Sequence, residues 1–325
     1  MIETITSVEL PVCEQLMIRK QRLTGNAAGA SDDPSSARLA EAAGSRGKRI
    51  SIVTGVHGDE LEGQLVAYEL SRRIQAEPEL LAGTVDIYPA MNPLGIDTIM
   101  RGLPGFDLDM NRIFPGSEDG DMNEYIADGI LEDLKGSDLV IDIHASNIFL
   151  TEMPQIRINE LHEKTLLPYA ASMNVDFIWV HQNSTVLEST LAYSLNSRGT
   201  KTLVVEMGVG MRLTKEYGYQ LVDGILHTMK RMGIWKGSDC EVRKPLVCNQ
   251  PDGVDFVNAP ESGIFVKDLE VGTQVHAGDV LGKLVDPLAG KELCAVRAQH
   301  DGLLFTTREY PVVQVGSLLA RILRQ

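Results

Sequence analysis

The chain has 325 residues, of which 43% are hydrophobic, and carries a formal net charge of -15 at pH 7. This length and composition suffice for one large domain and a smaller second one. The acidic balance argues against nucleic acid or an anionic membrane as a partner, because both require a basic surface. It does not exclude a small anionic substrate, which responds to the local field inside a cleft.

The first 23 residues mix charged and apolar side chains and contain no secretory apolar core. No stretch approaches the roughly 20 apolar residues that a membrane helix requires. The cysteines are scattered and form no Cys-x-x-Cys pair: Cys13, Cys240, Cys248 and Cys294. We therefore expect a cytoplasmic protein with free thiols, and we favour this over a disulfide between Cys240 and Cys248.

Two segments precede the first strongly apolar strand. Residues 1–24 alternate weakly between apolar and polar side chains, which predicts one or two peripheral strands. Residues 25–48 are rich in Gly, Ala, Ser, Asp and Arg, which predicts a surface loop or insertion. Residues 38–43 within it are compatible with a helical turn, and we assign no function to this segment.

The stretch around His57 joins a predicted strand to a predicted helix. Residues 49–53 form a short β-branched run, and apolar side chains then recur at helical spacing from Leu61 to Ile74. His57 and Glu60 therefore lie where a strand ends and a helix begins, the edge at which open α/β sheets bind their ligands. Three residues apart, this imidazole and this carboxylate can reach one cation. Glycines at 55, 58 and 63 allow the backbone to turn tightly around it.

Further along the chain, apolar strand patterns alternate with helical patterns up to residue 232. We predict strands at 84–90, 138–144, 177–180 and 201–206, and helices at 123–135, 161–174, 188–197 and 215–232. Residues 92–95 carry a turn signal, and residues 101–116 form a long loop punctuated by Gly and Pro. This alternation predicts an α/β fold with a mixed, mostly parallel central sheet flanked by helices.

From about residue 239 the helical periodicity ends, and short strands punctuated by Gly and Asp continue to residue 325. A weak internal repeat relates residues 262–281 to 301–319, which indicates a small all-β sandwich or barrel of the biotinyl/lipoyl-carrier type. Lys291 is a candidate attachment lysine, but it lacks the acidic or methionine neighbours of such hairpins. We therefore predict a catalytic domain at 1–238 and an accessory β domain at 239–325 without a prosthetic group.

Two histidines and two carboxylates fall at the ends of the predicted strands. His57, Glu60 and His144 form the ligand set of hydrolytic zinc sites, which leave a further position open for water. Zinc lowers the pKa of that water toward about 7, and a separate carboxylate is then needed as general base. Glu206 fits that role, with a structural ion pair as the alternative. Asp142, two residues before His144, is either its hydrogen-bond acceptor or a plain edge carboxylate.

Positive charge is also required, because a tetrahedral oxyanion and a substrate carboxylate both need donors. The long loop supplies Arg101, Asn111 and Arg112. An arginine provides a fixed bidentate fork for such groups. Arg112 is anchored in an Asn-Arg motif, whereas Arg101 is placed by spacing alone.

Five motifs follow one another along the chain. They are Gly55-Val56-His57-Gly58-Asp59-Glu60-x-x-Gly63, Asn92-Pro93-Leu94-Gly95, Asp107-Leu108-Asp109-Met110-Asn111-Arg112-x-Phe114-Pro115-Gly116, Asp142-Ile143-His144 and Val205-Glu206-Met207-Gly208. Together they resemble the succinylglutamate desuccinylase/aspartoacylase family, a branch of the zinc carboxypeptidase clan. The resemblance runs from about residue 50 to residue 232, and the C-terminal β region is also similar to that of the family. Met110 stands where the family usually has Leu, and because it keeps that size we expect no functional change.

The resemblance implies a zinc-carboxypeptidase-like fold with one Zn²⁺ per chain. It also implies a role for each site residue: zinc ligands His57, Glu60 and His144, general base Glu206, oxyanion group Arg101, and the carboxylate-binding pair Asn111 and Arg112.

The expected function is therefore that of a zinc-dependent deacylase acting on a small carboxylate-bearing N-acyl amino acid of the acetyl or succinyl type. One alternative is a metallocarboxypeptidase acting on short peptides, which the β domain disfavours because such a domain narrows the cleft in the resembling family. The other is a metal-free binding protein on the same scaffold, which the complete ligand set disfavours. The expected partner is the small anionic substrate, and a homo-oligomer of this chain is a further expectation.

Overall fold

The structure, a computed structural model, describes residues 1–25, 47–182 and 187–325. Its helices are α1 (Glu62–Ala76), α2 (Pro93–Thr98), α3 (Met122–Leu134), α4 (Glu163–Ala170), α5 (Leu191–Ser197) and α6 (Lys215–Met232). Its strands are β1 (Ile2–Leu10), β2 (Glu14–Thr24), β3 (Arg49–Thr54), β4 (Thr84–Tyr88), β5 (Leu139–His144), β6 (Leu150–Asn159), β7 (Phe177–His181), β8 (Thr202–Gly208), β9 (Leu246–Cys248), β10 (Val254–Asn258), β11 (Gly263–Lys267), β12 (Gln274–Val275), β13 (Val280–Asp286), β14 (Lys291–Arg297), β15 (Gly302–Arg308), β16 (Val312–Val313) and β17 (Leu318–Arg324).

A parallel core of four strands lies at the centre of the larger sheet. Its order is β4-β3-β5-β8, and each neighbouring pair is parallel. The hairpin of β1 and β2 pairs antiparallel with β4 on one side, and β6 pairs antiparallel with β8 on the other. β6 also runs parallel to β7, which in turn pairs with β9. The predicted mixed α/β sheet and its peripheral N-terminal strands are thereby confirmed.

Helices cover both faces of this core, because its strands are apolar on both faces. β3 and β5 are buried along their whole length, as is typical of parallel strands. One hydrophobic cluster packs α1, α4 and α6 against the first face, through side chains such as Leu70 and Ile225. A second cluster, with Ile130 and Leu195, packs α3, α5 and the β1–β2 hairpin against the other face. Every second side chain of β5 points toward this second face, where the candidate site lies: Val140, Asp142 and His144.

The C-terminal region extends the larger sheet. β15 pairs antiparallel with the first half of β6, and the order continues as β6-β15-β17-β10. Four other strands form a separate antiparallel sheet in the order β14-β13-β11-β16, the small all-β part expected from the sequence. The two copies of the repeat form the antiparallel pairs β11-β13 and β15-β17, one in each sheet. The division into domains after residue 238 stays a prediction.

The sequence analysis did not anticipate β6, and the composition of this strand explains why. Glu152 and Gln155 are both fully buried, although neither is apolar. Pro154 lies between them, where the register with β8 shifts. The segment therefore lacks the alternation of apolar and polar side chains by which a strand is recognised.

Several predicted elements have different bounds in the structure. The segment predicted as a helix at 161–174 opens as a 3₁₀ turn and is α-helical only over α4. The helix predicted at 188–197 is shortened to α5. The turn predicted at 92–95 opens α2. Most of the insertion predicted at 25–48, including the helical turn at 38–43, lies outside the described residues.

All four cysteines are free thiols, so Cys240 and Cys248 do not form a disulfide. Within the ranges that the structure describes, no helix is long and apolar enough to cross a membrane. The cytoplasmic location stays a prediction from the sequence.

Candidate metal centre and active-site pocket

The loop after β3 brings His57 and Glu60 to the same point. Gly55 turns the chain at φ 68°, a left-handed conformation that favours glycine. The loop then passes close to α2, since a Cβ on Gly58 would lie 2.0 Å from the carbonyl carbon of Gly95. Any side chain at position 58 would therefore push the loop away from α2 and move both candidate ligands.

His57, Glu60 and His144 form a compact buried triad. Oε1 of Glu60 lies 2.8 Å from Nδ1 of His57, and Oε2 of Glu60 lies 2.8 Å from Nδ1 of His144. The backbone N–H of Ala145 also donates to Glu60 Oε2, at 3.2 Å. Each of the three side chains belongs to a buried residue. The structure thus brings together the three residues that the sequence analysis proposed as metal ligands.

A further carboxylate lies behind each histidine. Asp109 Oδ1 is 3.0 Å from Nε2 of His57, and Asp142 Oδ2 is 3.2 Å from Nε2 of His144. Both Nδ1 atoms therefore face Glu60, while both Nε2 atoms face an acid. Metal-binding histidines usually have such a partner on the second ring nitrogen, because it fixes the tautomer and makes the ligand nitrogen more basic.

The triad can hold a metal ion. One ligand atom from each of its residues lies within 4.8 Å of the others. Two imidazoles and one carboxylate are a donor set typical of hydrolytic zinc sites. Burial alone would raise the pKa of the Glu60 carboxyl, but His144 and His57 hold it well below its ordinary value. Glu60 is therefore ionised at neutral pH, as metal ligation requires.

Arg101 reaches the triad from the long loop. Its Nη1 donates to Glu60 Oε1 at 2.8 Å, and its Nε lies 3.6 Å from Asp109 Oδ2. Asn92 holds this loop against α2, because its side chain donates to the carbonyl of Gly102 at 2.9 Å and accepts from the first turn of α2. The Arg101 side chain is 39% exposed and lines the pocket, so it can donate to an oxygen bound there.

Asn111 and Arg112 lie in a 3₁₀ turn of the same loop. Asn111 Oδ1 accepts from the backbone N–H of Leu191, the first residue of α5, at 2.9 Å, so its NH₂ group is the remaining donor. Arg112 Nη1 donates to the carbonyl of Asn111 at 2.7 Å. Both side chains line the pocket, as a pair that binds a substrate carboxylate would.

Glu206 lies beside the triad on the neighbouring strand. Its Cα is in register with that of His144 across β5 and β8, so the two side chains project from the same face. Burial raises the pKa of Glu206 to about 7, against the lowering effect of Arg157. A carboxyl group with a pKa near 7 can both accept and return a proton at neutral pH.

The pocket has a volume of about 360 Å³, and basic side chains from three strands also line it. They come from different strands: Arg157 from β6, His181 from β7 and Arg321 from β17. Burial, together with the positive charges of Arg157 and Arg321, lowers the pKa of His181 to about 3. His181 is therefore neutral, and of these three side chains Arg157 and Arg321 are the cations.

The sequence analysis missed Asp109, Arg157 and Arg321. Asp109 stands in the same motif as Asn111, and that position was the available signal for it. The other two residues lie on strands far apart in the chain. They meet only because β6 pairs with β15 and β15 pairs with β17, and no spacing in the sequence indicates that pairing.

Comparisons with known proteins identify the family of this chain. The family model of the succinylglutamate desuccinylase/aspartoacylase catalytic domain matches residues 46–232. The chain is similar to the N-alpha-acetyl-L-2,4-diaminobutyric acid deacetylase of Halomonas elongata, with 27% identity over 293 residues that cover 83% of this chain and 80% of that protein.

Two solved structures show how far the common fold extends. The product-bound ectoine utilization protein EutE (DoeB) from Ruegeria pomeroyi has a TM-score of 0.78 and 20% identity, covering 98% of this chain and 93% of that one. A succinylglutamate desuccinylase/aspartoacylase from Rhodobacter sphaeroides has a TM-score of 0.78 and 23% identity, covering 97% and 92%. The fold is therefore common to nearly the whole chain. Since the family model matches more than half of its residues, the chain belongs to the succinylglutamate desuccinylase/aspartoacylase family of deacylases.

Proposed function

We propose that this chain is a zinc-dependent deacylase that hydrolyses the amide bond of a small, carboxylate-bearing N-acyl amino acid. The observation that carries the proposal is the buried triad of His57, Glu60 and His144 with Glu206 in register beside it. Membership of a deacylase family supports the same reaction class.

Different residues of the pocket have different roles in the proposed reaction. His57, Glu60 and His144 would hold the zinc ion, which supplies Lewis-acid activation of a carbonyl oxygen and of water. Glu206 removes a proton from the water as its oxygen adds to the amide carbon, and then delivers that proton to the departing nitrogen as the C–N bond breaks. Arg101, within 2.8 Å of Glu60, donates to the oxygen that gains negative charge. The products are a carboxylic acid and a free amine.

The other polar groups of the pocket favour a small anionic substrate. Arg112 presents a planar fork suited to a carboxylate, and Asn111 adds one amide donor beside it. The volume of about 360 Å³ suits a single acylated amino acid better than a long peptide. The relative from Halomonas elongata is named for an acetylated amino acid, which supports a substrate of that kind.

Amine release from a panel of N-acetyl- and N-succinyl-amino acids, compared with dipeptides, tests this proposal. Wild type should release amine from at least one acyl amino acid. Glu206→Ala should keep the metal content of wild type while kcat falls by roughly 10²–10⁴. Glu132→Ala, which removes an exposed carboxylate paired with Lys135, is the control, and its kcat and metal content should equal those of wild type.

Two results would contradict the proposal. Undiminished activity in Glu206→Ala would remove Glu206 from the mechanism. Cleavage of dipeptides without cleavage of any acyl amino acid would identify a metallocarboxypeptidase instead.

A further inference from the structure

The proposed general base is held by a specific ion pair. Arg157 Nη1 lies 3.1 Å from Oε1 of Glu206. Arg157 comes from β6 and Glu206 from β8, and these strands are hydrogen-bonded neighbours. A carboxylate in a pocket has several accessible rotamers, so a fixed cation on one oxygen selects one orientation of the group.

Arg157 is itself fixed by a second carboxylate. Its Nη2 donates to both oxygens of Glu152, at 2.9 and 3.1 Å. Glu152 is fully buried and also accepts from the hydroxyl of Thr306 on β15, at 3.1 Å. The guanidinium therefore contacts one carboxylate through each terminal nitrogen, and the contact with Glu152 leaves Nη1 directed at Glu206.

The C-terminal region completes this arrangement. Arg321 on β17 donates to the same Glu152 through Nη1. Its guanidinium carbon lies 5.8 Å from the ring centre of Trp179 and 5.6 Å from that of Phe256, so the side chain contacts both aromatic rings. Charges of alternating sign thus run from Glu206 through Arg157 and Glu152 to Arg321, across β8, β6 and β17.

Such a chain of charges is costly to bury. Desolvation of buried ion pairs often cancels their attraction, and apolar residues of similar volume are frequently as stable or more so. Stability alone therefore does not account for the charges in this row. Their common geometrical effect is the placement of one guanidinium nitrogen on the oxygen of Glu206 that faces β6.

We propose that Arg157 is a positioning residue for Glu206, and that Arg321 of the C-terminal region acts on Glu206 through Glu152 and Arg157. The inference rests on the proposed function, in which Glu206 moves the proton. It assigns the C-terminal strand β17 a part in orienting the general base, in addition to lining the pocket through Arg321. Both arginines line the pocket, so direct binding of the substrate is the competing role that the test has to separate from positioning.

Steady-state kinetics on four variants separate these roles. Arg157→Gln should lower kcat roughly 100-fold with KM little changed, because displacement of a catalytic group by about 1 Å lowers the rate by about that factor. Arg157→Lys, which can still present a cation to Glu206, should lower kcat by a smaller factor than Arg157→Gln. Arg321→Gln should also lower kcat, by a smaller factor than Arg157→Gln. Arg324→Gln is the matched control on β17, because Arg324 pairs with Asp255 outside the pocket, and it should behave as wild type.

The metal content of each variant should stay close to wild type. The unfolding midpoint of Arg157→Gln should fall, because Glu152 stays buried after losing one of its two cations, so the kinetics are measured well below that midpoint. Crystal structures of zinc-loaded wild type and Arg157→Gln add a readout that does not need turnover. Glu206 should be ordered against Arg157 in wild type and displaced or disordered in the variant.

Three outcomes would overturn the inference: unchanged kcat in Arg157→Gln, a rise in KM alone in either arginine variant, or an unmoved Glu206 in the variant crystal structure. If wild type hydrolyses no acyl amino acid, the proposed function fails. The position of Glu206 in the two crystal structures still decides whether Arg157 orients it.

Discussion

His57 and His144 each contact two carboxylates, one on each ring nitrogen. Glu60, Asp109 and Asp142 place three negative charges around the two rings, and Arg101 offsets one of them. Burial lowers the pKa of both imidazoles, but Glu60 and the acid behind each ring raise it further, so protons on the rings can balance these carboxylates in the metal-free protein. A divalent cation held by His57, Glu60 and His144 would replace those protons, since metal ligation requires neutral imidazoles.

The sequence was sufficient to predict the triad, but not its surroundings. His57, Glu60 and His144 were predictable because the carboxyl ends of parallel strands meet at one edge of a sheet. Asp109 approaches His57 from a loop whose path depends on hydrogen bonds such as that between Asn92 and Gly102, and no periodicity encodes that path.

In the proposed mechanism, Glu206 makes the activity dependent on pH. Burial raises its pKa to about 7, while Arg157 and His144 lower it and Glu152 and Glu60 raise it. The base must be ionised to accept a proton, so activity is present above this pKa and is lost as the pH falls through it. We expect kcat/KM to fall about tenfold per pH unit below pH 7.

A pH–rate profile between pH 5.5 and 8.5 checks this, with the unfolding midpoint recorded at each pH to separate titration from unfolding. An activity that is constant down to pH 5.5, or that rises as the pH falls, would contradict the role of Glu206.

At the scale of elements, the close approach of α1 to β3 positions the loop that carries His57 and Glu60, two of the candidate metal ligands. Gly63 in the first turn of α1 lies against Thr54 at the end of β3, and a Cβ on Gly63 would be 2.0 Å from Thr54 Oγ1. Thr54 is fully buried and cannot move aside. The packing of this helix on this strand therefore depends on the absence of a side chain.

Gly63→Ala should lower the free energy of unfolding by about 1–3 kcal/mol, the usual cost of overpacking, although alanine is the better helix former by about 1 kcal/mol. Gly218→Ala in α6 is the control, because its added methyl group would meet the flexible end of Leu65. Chemical denaturation measures both. A Gly63→Ala protein as stable as wild type would show that α1 does not need this contact.

Elements differed in how well the sequence predicted them. α6 was predictable to its end residues, because its apolar side chains recur regularly and Gly233 ends it in a left-handed conformation. β6 was not, because its buried face carries Glu152 and Gln155. These two buried polar side chains obscure the strand pattern.

At the scale of the whole molecule, an acidic protein surrounds a pocket in which arginines lie beside the carboxylates Glu60, Asp142 and Glu206. The chain has a net charge of -15, yet four arginines line the pocket: Arg101, Arg112, Arg157 and Arg321. The local field of a cleft, rather than the total charge, governs the approach of a small anion. An anionic substrate is therefore compatible with this acidic protein.

At this scale, the C-terminal region is part of the larger sheet and contributes a side chain to the pocket. Its all-β character was predictable from the loss of helical periodicity after residue 239. Its continuity with the larger sheet was not, because strand pairing between β6 and β15 depends on register and not on local pattern. Through that pairing, Arg321 enters the pocket that the rest of the chain builds.

The most direct test of the account is the zinc content of the purified protein, measured by mass spectrometry together with acyl amino acid hydrolysis before and after chelation. We expect about one zinc per chain, loss of activity on chelation and recovery with added Zn²⁺. His57→Ala should lose the metal, whereas His227→Ala, which removes a histidine paired with Asp239 away from the pocket, should keep it. A wild-type protein that contains no metal, takes up none, and is indifferent to chelators would contradict the account and leave a metal-free protein on this scaffold.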